Sequence, residues 1–292
     1  MKNKFLNTDI KSILHSVFCV SLIVLIVSCN PDETQTVTNF DKPTLSEEFD
    51  GTELNTNLWT YEIGDGSDQG IPGWGNNEQQ YYTNRTENVL VEDGVLKIIA
   101  RQESFEGSSY TSGRIITKGR FEQKYGRFEA RIKLPWGTGM WPAFWMVGDD
   151  SNGDIWPEIG EIDIMENRGQ EPTLISASVH GPGYCGNQVI CESGAITKEY
   201  ELTNDRFDTD FHIFGVEWGP NYINYYVDDV LYNQITPEDL EEEDIDESNW
   251  VFNDRKFYII LNVAVGGNFA GNADPNIPYP QIMEVDYVRA YQ

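Results

Sequence analysis

The sequence predicts an all-β fold in which two antiparallel sheets pack face to face as a β-sandwich. Short runs of alternating apolar and polar residues recur along the chain, and Gly, Asp and Asn interrupt them, which is typical of strands joined by tight turns. No segment shows the apolar spacing of a helix of three turns or more. Because about a dozen strands follow one another without helices between them, we expect one sheet to bury its apolar face on the other.

Two of the predicted strands form a hairpin. Residues 89–92 and 95–101 flank Asp93-Gly94, and Asp-Gly between two alternating runs is a strong signal for a two-residue turn. Further strands are predicted at residues 126–134, 211–218, 223–227, 257–265 and 283–291. Since no second linker and no repeat follow, residues 44–292 are predicted to form one domain.

Residues 1–28 are predicted to be an export signal. A basic stretch precedes an apolar run of about 11 residues, whereas a membrane-spanning helix needs roughly 20. Residues 26–29, Ile-Val-Ser-Cys, resemble a bacterial lipobox, which implies that Cys29 is lipidated. An ordinary secretory signal, in which Cys29 has no role, is the alternative. We expect a protein at the outer membrane or cell surface that contacts the membrane only through this lipid, with residues 29–43 as a flexible tether.

The composition restricts the possible partners. The chain carries 48 acidic and 20 basic residues and a formal net charge of −28, which becomes −30 once residues 1–28 are removed. Such a surface disfavours nucleic acids and anionic polymers, which bind through Lys and Arg, and it is compatible with a neutral polysaccharide. Aromatic residues make up 13% of the chain, and flat rings suit the C–H faces of sugars. Solubility and core packing are the alternative explanations of these two features.

Two segments stand apart from the strand pattern. Cys185 and Cys191 close a short loop and are expected to form a disulfide in an oxidising compartment. A zinc site is disfavoured there, because only His180 lies near them in the sequence. Residues 238–247 form a dense acidic run that lacks the glycine and spacing of an EF-hand loop. We expect a solvated loop, with loose calcium binding as the alternative.

The most informative stretch is residues 161–166, Glu-Ile-Asp-Ile-Met-Glu. Strand alternation places Glu161 and Asp163 on one face and the two isoleucines on the core face. Strict alternation would then turn Glu166 into the core, where an unpaired carboxylate is costly. A β-bulge at Ile164-Met165 adds one residue and returns Glu166 to the acidic face. The sequence therefore predicts a bulge at this position.

Three adjacent carboxyl groups suit glycosidic bond cleavage. Retaining glycosidases use two carboxyl groups about 5–5.5 Å apart, one as nucleophile and one as acid/base. Like charges cannot all ionise easily, so one of Glu161 and Glu166 is expected to keep a proton near neutral pH. Asp163 can hydrogen-bond Glu161 and bias which carboxyl is protonated. A calcium or magnesium site and an exposed edge strand are the alternative interpretations.

Residues 160–166, Gly-Glu-Ile-Asp-Ile-Met-Glu, resemble the signature of glycoside hydrolase family 16 in its bulged form. The resemblance implies that Glu161 is the nucleophile, Asp163 its helper and Glu166 the acid/base. The unbulged form of lichenases and carrageenases has one residue fewer, so the chain is more similar to laminarinases. Similar segments cover nearly all of residues 45–292 and imply a concanavalin-like jelly roll with a concave cleft.

The same resemblance implies a set of sugar contacts. Residues 73–83 are similar to the segment that lines the non-reducing side of the laminarinase cleft, and Trp74 and Asn76 would contact sugar there. Residues 139–145 match the strand beside the catalytic one, where Trp141 and Trp145 would form the floor of the cleft. The other candidates are Arg114, Trp136, His180 near the reacting sugar, and Asn262, which would bind sugar or orient a catalytic group.

The ends of the domain resemble segments that hold a structural calcium in many relatives. The ligands would be Glu48, Asp286 and backbone carbonyls near Gly94, and oxygen-only ligation suits calcium. The alternative is that these residues cap strands without an ion. No cofactor is expected for catalysis.

The resemblance implies a retaining endo-β-1,3-glucanase, which we expect to be a monomer. A sister enzyme that acts on agar, porphyran or mixed-linkage glucan would share the bulged motif, so it stays an alternative. A surface lipoprotein that binds glycan without cleaving it is the second alternative, although such proteins typically lose a catalytic glutamate.

Overall fold

The computed structural model describes residues 42–186, 190–191 and 193–292. These residues all belong to one unit, which spans Thr36–Gln292. The predicted signal, the predicted lipidation site Cys29 and the predicted tether up to residue 41 lie outside the described residues. The first strand begins at Pro43, one residue before the predicted start of the domain.

Strands form almost all of the regular structure in these residues. In chain order they are β1 (Pro43–Glu47), β2 (Thr60–Tyr61), β3 (Gln80–Tyr82), β4 (Val89–Glu92), β5 (Val95–Phe105), β6 (Ser108–Ser112), β7 (Arg114–Ile116), β8 (Gly126–Lys133), β9 (Met140–Gly148), β10 (Glu161–Glu166), β11 (Leu174–His180), β12 (Ile196–Glu201), β13 (His212–Gly219), β14 (Tyr222–Val227), β15 (Val230–Ile235), β16 (Phe257–Val265) and β17 (Gln281–Tyr291). Each predicted strand is confirmed, and β16 has the predicted bounds. β5 runs further than predicted because its second half pairs with β6.

The strands assemble into two sheets, which confirms the predicted sandwich. One sheet has ten strands in the order β15-β14-β13-β8-β17-β5-β6-β3, with β1 paired to β17 and β4 to β5. The other has seven strands in the order β12-β11-β10-β9-β16-β7-β2. The sheets are antiparallel except that β3 runs parallel to β6.

The predicted Asp93-Gly94 hairpin joins β4 to β5. Both turn residues have positive φ, 56° for Asp93 and 76° for Gly94. A two-residue turn of this kind matches the twist of the flanking strands, and Asp-Gly adopts it at little cost. The turn chemistry therefore fixes the register of this hairpin.

The main core lies between the sheets, and the cleft face of the seven-stranded sheet is also partly apolar. On β9, Phe144 and Met146 are fully buried in the core, whereas Trp141 and Trp145 on the opposite face are partly exposed. Every residue of β16 is buried. A second, smaller cluster packs against Trp145 and Trp156 and comprises Ile116, Val147, Ile159, Tyr258 and Ile260. A packed apolar layer therefore covers part of the face that carries Trp145.

Helical segments are short in the described part of the chain. The 3-10 turns and the single-turn α-helix are Ser67–Gln69, Pro72–Gly75, Glu247–Asn249 and Glu238–Glu241. The acidic segment 238–247 is thus partly helical rather than a plain solvated loop, because Leu240 and Ile245 are buried and anchor it. Among the described residues, no helix is both long enough and apolar enough to cross a membrane.

Candidate active site

The three candidate catalytic carboxyl groups lie on β10, which carries the predicted bulge. The register shifts between Asp163 and Met165 against β9 and between Asp163 and Glu166 against β11. Ile164 and Met165 are both buried in the core. Because two consecutive side chains face the core, the alternation is reset and Glu166 returns to the face of Asp163.

Glu161 has a polar contact at each carboxylate oxygen. Trp156 donates from Nε1 to Oε2 of Glu161 at 2.8 Å. Nε2 of His180 lies 3.6 Å from Oε1, because His180 is directly opposite Glu161 in the register of β10 and β11. The Glu161 and His180 side chains are 16% and 17% exposed, so a ligand can reach the carboxylate.

Asp163 is the more deeply buried neighbour, with 4% of its side chain exposed. Its Oδ2 lies 2.9 Å from Nε2 of His180. The imidazole therefore stands between the carboxylates of Asp163 and Glu161. This position, behind Glu161 and away from solvent, suits a group that adjusts the charge of its neighbours.

Glu166 is oriented by a different indole. Trp141 donates from Nε1 to Oε1 of Glu166 at 2.8 Å. The Trp141 ring packs on Phe269 with centroids 5.1 Å apart, and the Arg168 guanidinium lies 4.0 Å from the Phe269 centroid. The Trp141 ring is thus fixed from behind while its N–H points at the carboxyl group.

The electrostatics of the cluster favour one protonated glutamate. Burial, together with the charge of Asp163, raises the pKa of Glu166 to about 8. Burial and the charge of Glu161 raise the pKa of Asp163 to about 7, and burial also raises the pKa of Glu161. For His180, burial lowers the pKa, but the two neighbouring carboxylates outweigh it and raise the pKa to about 10. Near neutral pH the cluster therefore combines a largely protonated Glu166 with an imidazolium beside Glu161.

A metal is a poorer occupant of this cluster than a proton. Glu161, Asp163 and His180 bring three possible ligand atoms within 4.8 Å of one another. A histidine must be deprotonated to bind a metal, and the raised pKa of His180 opposes this. The arrangement therefore fits acid/base and nucleophilic chemistry better than the alternative metal site.

Comparison with known proteins agrees with this geometry. Residues 76–276 match the family model of the glycosyl hydrolases family 16. The chain belongs to glycoside hydrolase family 16. A β-glucanase from Rhodothermus marinus is 42% identical over 253 residues, which cover 85% of this chain and 84% of that protein.

Two solved structures of the family illustrate the similarity of the fold. The endo-β-1,3-glucanase from Pyrococcus furiosus has a TM-score of 0.79 and 44% identity, over 88% of this chain and 98% of that one. The laminarinase from Flavobacterium sp. UMI-01 has a TM-score of 0.74 and 40% identity, over 86% of this chain and 100% of that one. The predicted jelly roll of family 16 is therefore confirmed.

In this family 16 domain, Arg114 links two of the predicted sugar-binding tryptophans. Its guanidinium carbon lies 4.4 Å from the ring centroid of Trp74 and 4.9 Å from that of Trp145. Its Nε donates to Glu62, and only 12% of the Arg114 side chain is exposed. A desolvated guanidinium between two indoles forms a strong cation–π contact, so these side chains act as one rigid wall.

Asn262 is buried, with 4% exposure, and both ends of its amide bond other protein groups. It accepts from Nε1 of Trp145 at 2.7 Å and donates from Nδ2 to the Tyr82 hydroxyl at 3.1 Å. Tyr82 donates in turn to Oε2 of Glu78 at 3.1 Å. Asn262 therefore orients Trp145, and the structure favours this role over the predicted direct hydrogen bond to sugar.

The remaining predicted sugar contacts differ in accessibility. Asn76 is exposed and Trp136 is 42% exposed, so both side chains are accessible to a ligand. Trp74 is only 6% exposed and donates its Nε1 to the carbonyl of Gly64, so that only part of its ring is available. Sequence reasoning missed Trp156, although it lies only five residues before Glu161. It also missed the support that Phe269 gives to Trp141.

The predicted disulfide between Cys185 and Cys191 is present in the structure, with Cα atoms 5.7 Å apart. The carbonyl oxygen of Cys185 lies 3.1 Å from Nδ1 of His180. The short loop thus contacts His180, which in turn faces the carboxyl groups of Asp163 and Glu161.

The predicted calcium ligands are engaged by arginines. Glu48 forms a bidentate ion pair with Arg289 at 2.8 and 2.7 Å, and Asp286 forms an ion pair with Arg131 at 2.8 Å. A cation at this end of the domain would have to compete with both guanidinium groups, so the side chains as arranged do not fit calcium. Calcium binding through these residues and Gly94 stays a prediction.

Proposed function

We propose that this chain is a retaining endo-β-1,3-glucanase of the laminarinase type, with Glu161 as nucleophile and Glu166 as acid/base. Relatives that are 40–44% identical over most of the domain are named β-glucanase, endo-β-1,3-glucanase and laminarinase. The observation that carries the proposal is the bulged strand, which presents both glutamates and Asp163 on the cleft face with separate indole donors.

In the first step, the proton of Glu166 passes to the glycosidic oxygen while Oε1 or Oε2 of Glu161 attacks the anomeric carbon. The bond between that carbon and the leaving oxygen breaks, and an ester between the sugar and Glu161 forms. The raised pKa of Glu166 keeps the acid protonated for this step. Before the attack, the imidazolium of His180 partly compensates the negative charge of Glu161.

In the second step, Glu166 is ionised and accepts a proton from water, and the water oxygen attacks the same anomeric carbon. The ester bond to Glu161 breaks, which restores both carboxyl groups. Esterification removes the negative charge of Glu161. The ionised Glu166 is therefore no longer repelled by a second charged glutamate. Two inversions at one carbon give a product with retained configuration.

The experiment that tests the proposed function is a digest of laminarin, lichenan, agar and porphyran in parallel. We expect short laminari-oligosaccharides from laminarin early in the reaction, and β-anomers first in the proton spectrum of the products. Faster release from agar or porphyran would assign the chain to a sister activity. Initial α-anomers would contradict the retaining mechanism.

We also propose that the enzyme is a monomer that reaches the cell surface and is held there by a lipid on Cys29. The support is the sequence of residues 1–29, which combines an export signal with a lipobox. Labelled palmitate should enter the protein in a bacterial host and should be absent from a Cys29→Ala variant. Equal labelling of both proteins would refute the anchor.

A further inference from the structure

The disulfide loop and the acidic segment are not explained by the proposed reaction. The loop contacts His180, and the residues that flank the loop contact the acidic segment. Tyr184, next to Cys185, is fully buried, and its hydroxyl donates to the carbonyl of Asn249 at 3.1 Å. The backbone groups of Tyr184 and Gly181 exchange two hydrogen bonds of 3.1 Å. The chain that follows His180 therefore folds back in a tight turn and is bonded to Asn249, just after the acidic segment.

Close packing restricts the backbone of the turn at residues 181–184. A Cβ at Gly181 would lie 2.3 Å from the Tyr184 hydroxyl, so the Tyr184 ring sits directly against the backbone beside His180. The two cysteines are 3% and 8% exposed, and the N–H of Ser193 donates to the carbonyl of Gly183 at 2.9 Å. Both ends of the loop are therefore held, and the Cys185 carbonyl has a fixed position.

The fixed carbonyl determines how the His180 ring is protonated. A carbonyl oxygen can only accept, so Nδ1 must carry a hydrogen to bond Cys185 at 3.1 Å. Nε2 then faces the carboxylates of Asp163 and Glu161 at 2.9 and 3.6 Å. It can donate to them only if the ring is protonated on both nitrogens. Without the carbonyl, a neutral ring with its single hydrogen on Nε2 would satisfy Asp163 equally well.

We propose that the Cys185–Cys191 disulfide is a positioning element of the catalytic centre, which holds the Cys185 carbonyl on Nδ1 and so keeps His180 as a cation beside Glu161. This inference rests on the proposed role of Glu161 as nucleophile. Because disulfides form in oxidising compartments, the enzyme reaches its full rate only after export. His180 acts through the carboxylates and is a positioning residue.

The test compares the full chain with a Cys185→Ser/Cys191→Ser variant, which keeps the Cys185 carbonyl but removes the cross-link. The chain has only three histidines, so imidazole titrations can be followed by NMR and assigned with single His→Gln variants. His212 is the internal control, since it bonds Asp228 at 2.8 Å, and neither residue contacts the two cysteines. Reduction of the unaltered chain with a phosphine gives the same contrast without a substitution.

We expect the His180 titration of the uncross-linked protein to move down by about one pH unit while that of His212 stays in place. The kcat on laminarin should fall by less than about tenfold with KM nearly unchanged, because a ring whose pKa drops by about one unit from about 10 stays cationic at neutral pH. A Tyr184→Phe variant, which keeps the disulfide but loses the bond to Asn249, should show a smaller change in the same direction. An unchanged His180 titration, or equal shifts at both histidines, would overturn the proposal. Since the titration needs no substrate, it is independent of whether the chain cleaves laminarin.

Discussion

Trp156 donates its indole N–H to Oε2 of Glu161 at 2.8 Å. A second indole, that of Trp141, makes the equivalent contact with Oε1 of Glu166. Each glutamate therefore has its own neutral donor, which stabilises the ionised form of that residue alone. This separation allows the two carboxyl groups to be perturbed one at a time.

The two indole contacts predict opposite signatures for a matched pair of variants. In Trp156→Phe the pKa of Glu161 should rise, so the acid limb of kcat/KM moves to higher pH. In Trp141→Phe the pKa of Glu166 should rise above about 8, so the alkaline limb moves to higher pH. Each shift should be below about one pH unit. Movement of the same limb in both variants would show that the glutamates have been assigned wrongly.

Glu166→Gln should lower kcat on laminarin by about 10²–10⁴-fold, because the leaving oxygen is no longer protonated. The glycosylation step on an aryl β-laminaribioside with an acidic phenol should be affected much less, since that leaving group needs no proton. The parent enzyme loses activity as pH rises through about 8, where Glu166 ionises, and the variant should lack this limb. An equal loss on both substrates would argue against Glu166 as the acid.

Replacement of Arg114 tests whether the wall around it binds sugar. Arg114→Met removes the cation between Trp74 and Trp145 and should raise KM for laminarin about tenfold, with a smaller effect on kcat. It also leaves Glu62 without its partner, so stability falls. A Glu62→Gln/Arg114→Met double variant should recover stability but not KM. Recovery of KM in the double variant would mean that Arg114 only balances the charge of Glu62.

The packing of the bulge can be tested by its effect on stability. Ile164→Ala should lower the free energy of unfolding by about 2–5 kcal/mol, because Ile164 is buried in the core. Met165→Leu, which conserves volume, should cost less than about 1.5 kcal/mol. Chemical denaturation of both variants gives the comparison. If both variants lost a similarly small free energy of unfolding, the packing of the bulge against the core would not contribute to stability.

The strand pattern and the bulge could be predicted from the sequence because both follow from alternation. An extra residue between Asp163 and Glu166 was the only simple way to keep a carboxylate out of the core, and the register shows that residue. The placement of Trp141 and Trp145 on one face of β9 follows from the same rule.

Contacts between distant segments could not be predicted in this way. Asn262 was predicted to lie in the cleft, but only the fold reveals that its amide oxygen accepts from Trp145 and its amide nitrogen donates to Tyr82. The bond from the Cys185 carbonyl to His180 depends on how the loop folds back, which no periodicity encodes. The calcium ligands were predicted from the family resemblance. Their ion pairs with Arg131 and Arg289 could not be predicted, because strand alternation does not tell which residues of different strands lie next to each other.

The central claim, that Glu161 forms a covalent bond to the sugar, can be measured directly. Incubation with a 2-deoxy-2-fluoro-laminaribiosyl fluoride should slow the second step and trap the ester, and fragmentation by mass spectrometry should locate the label. The predicted result is a label on Glu161, with recovery of activity when an acceptor sugar is added. A label on Glu166 or Asp163 would contradict the proposed mechanism.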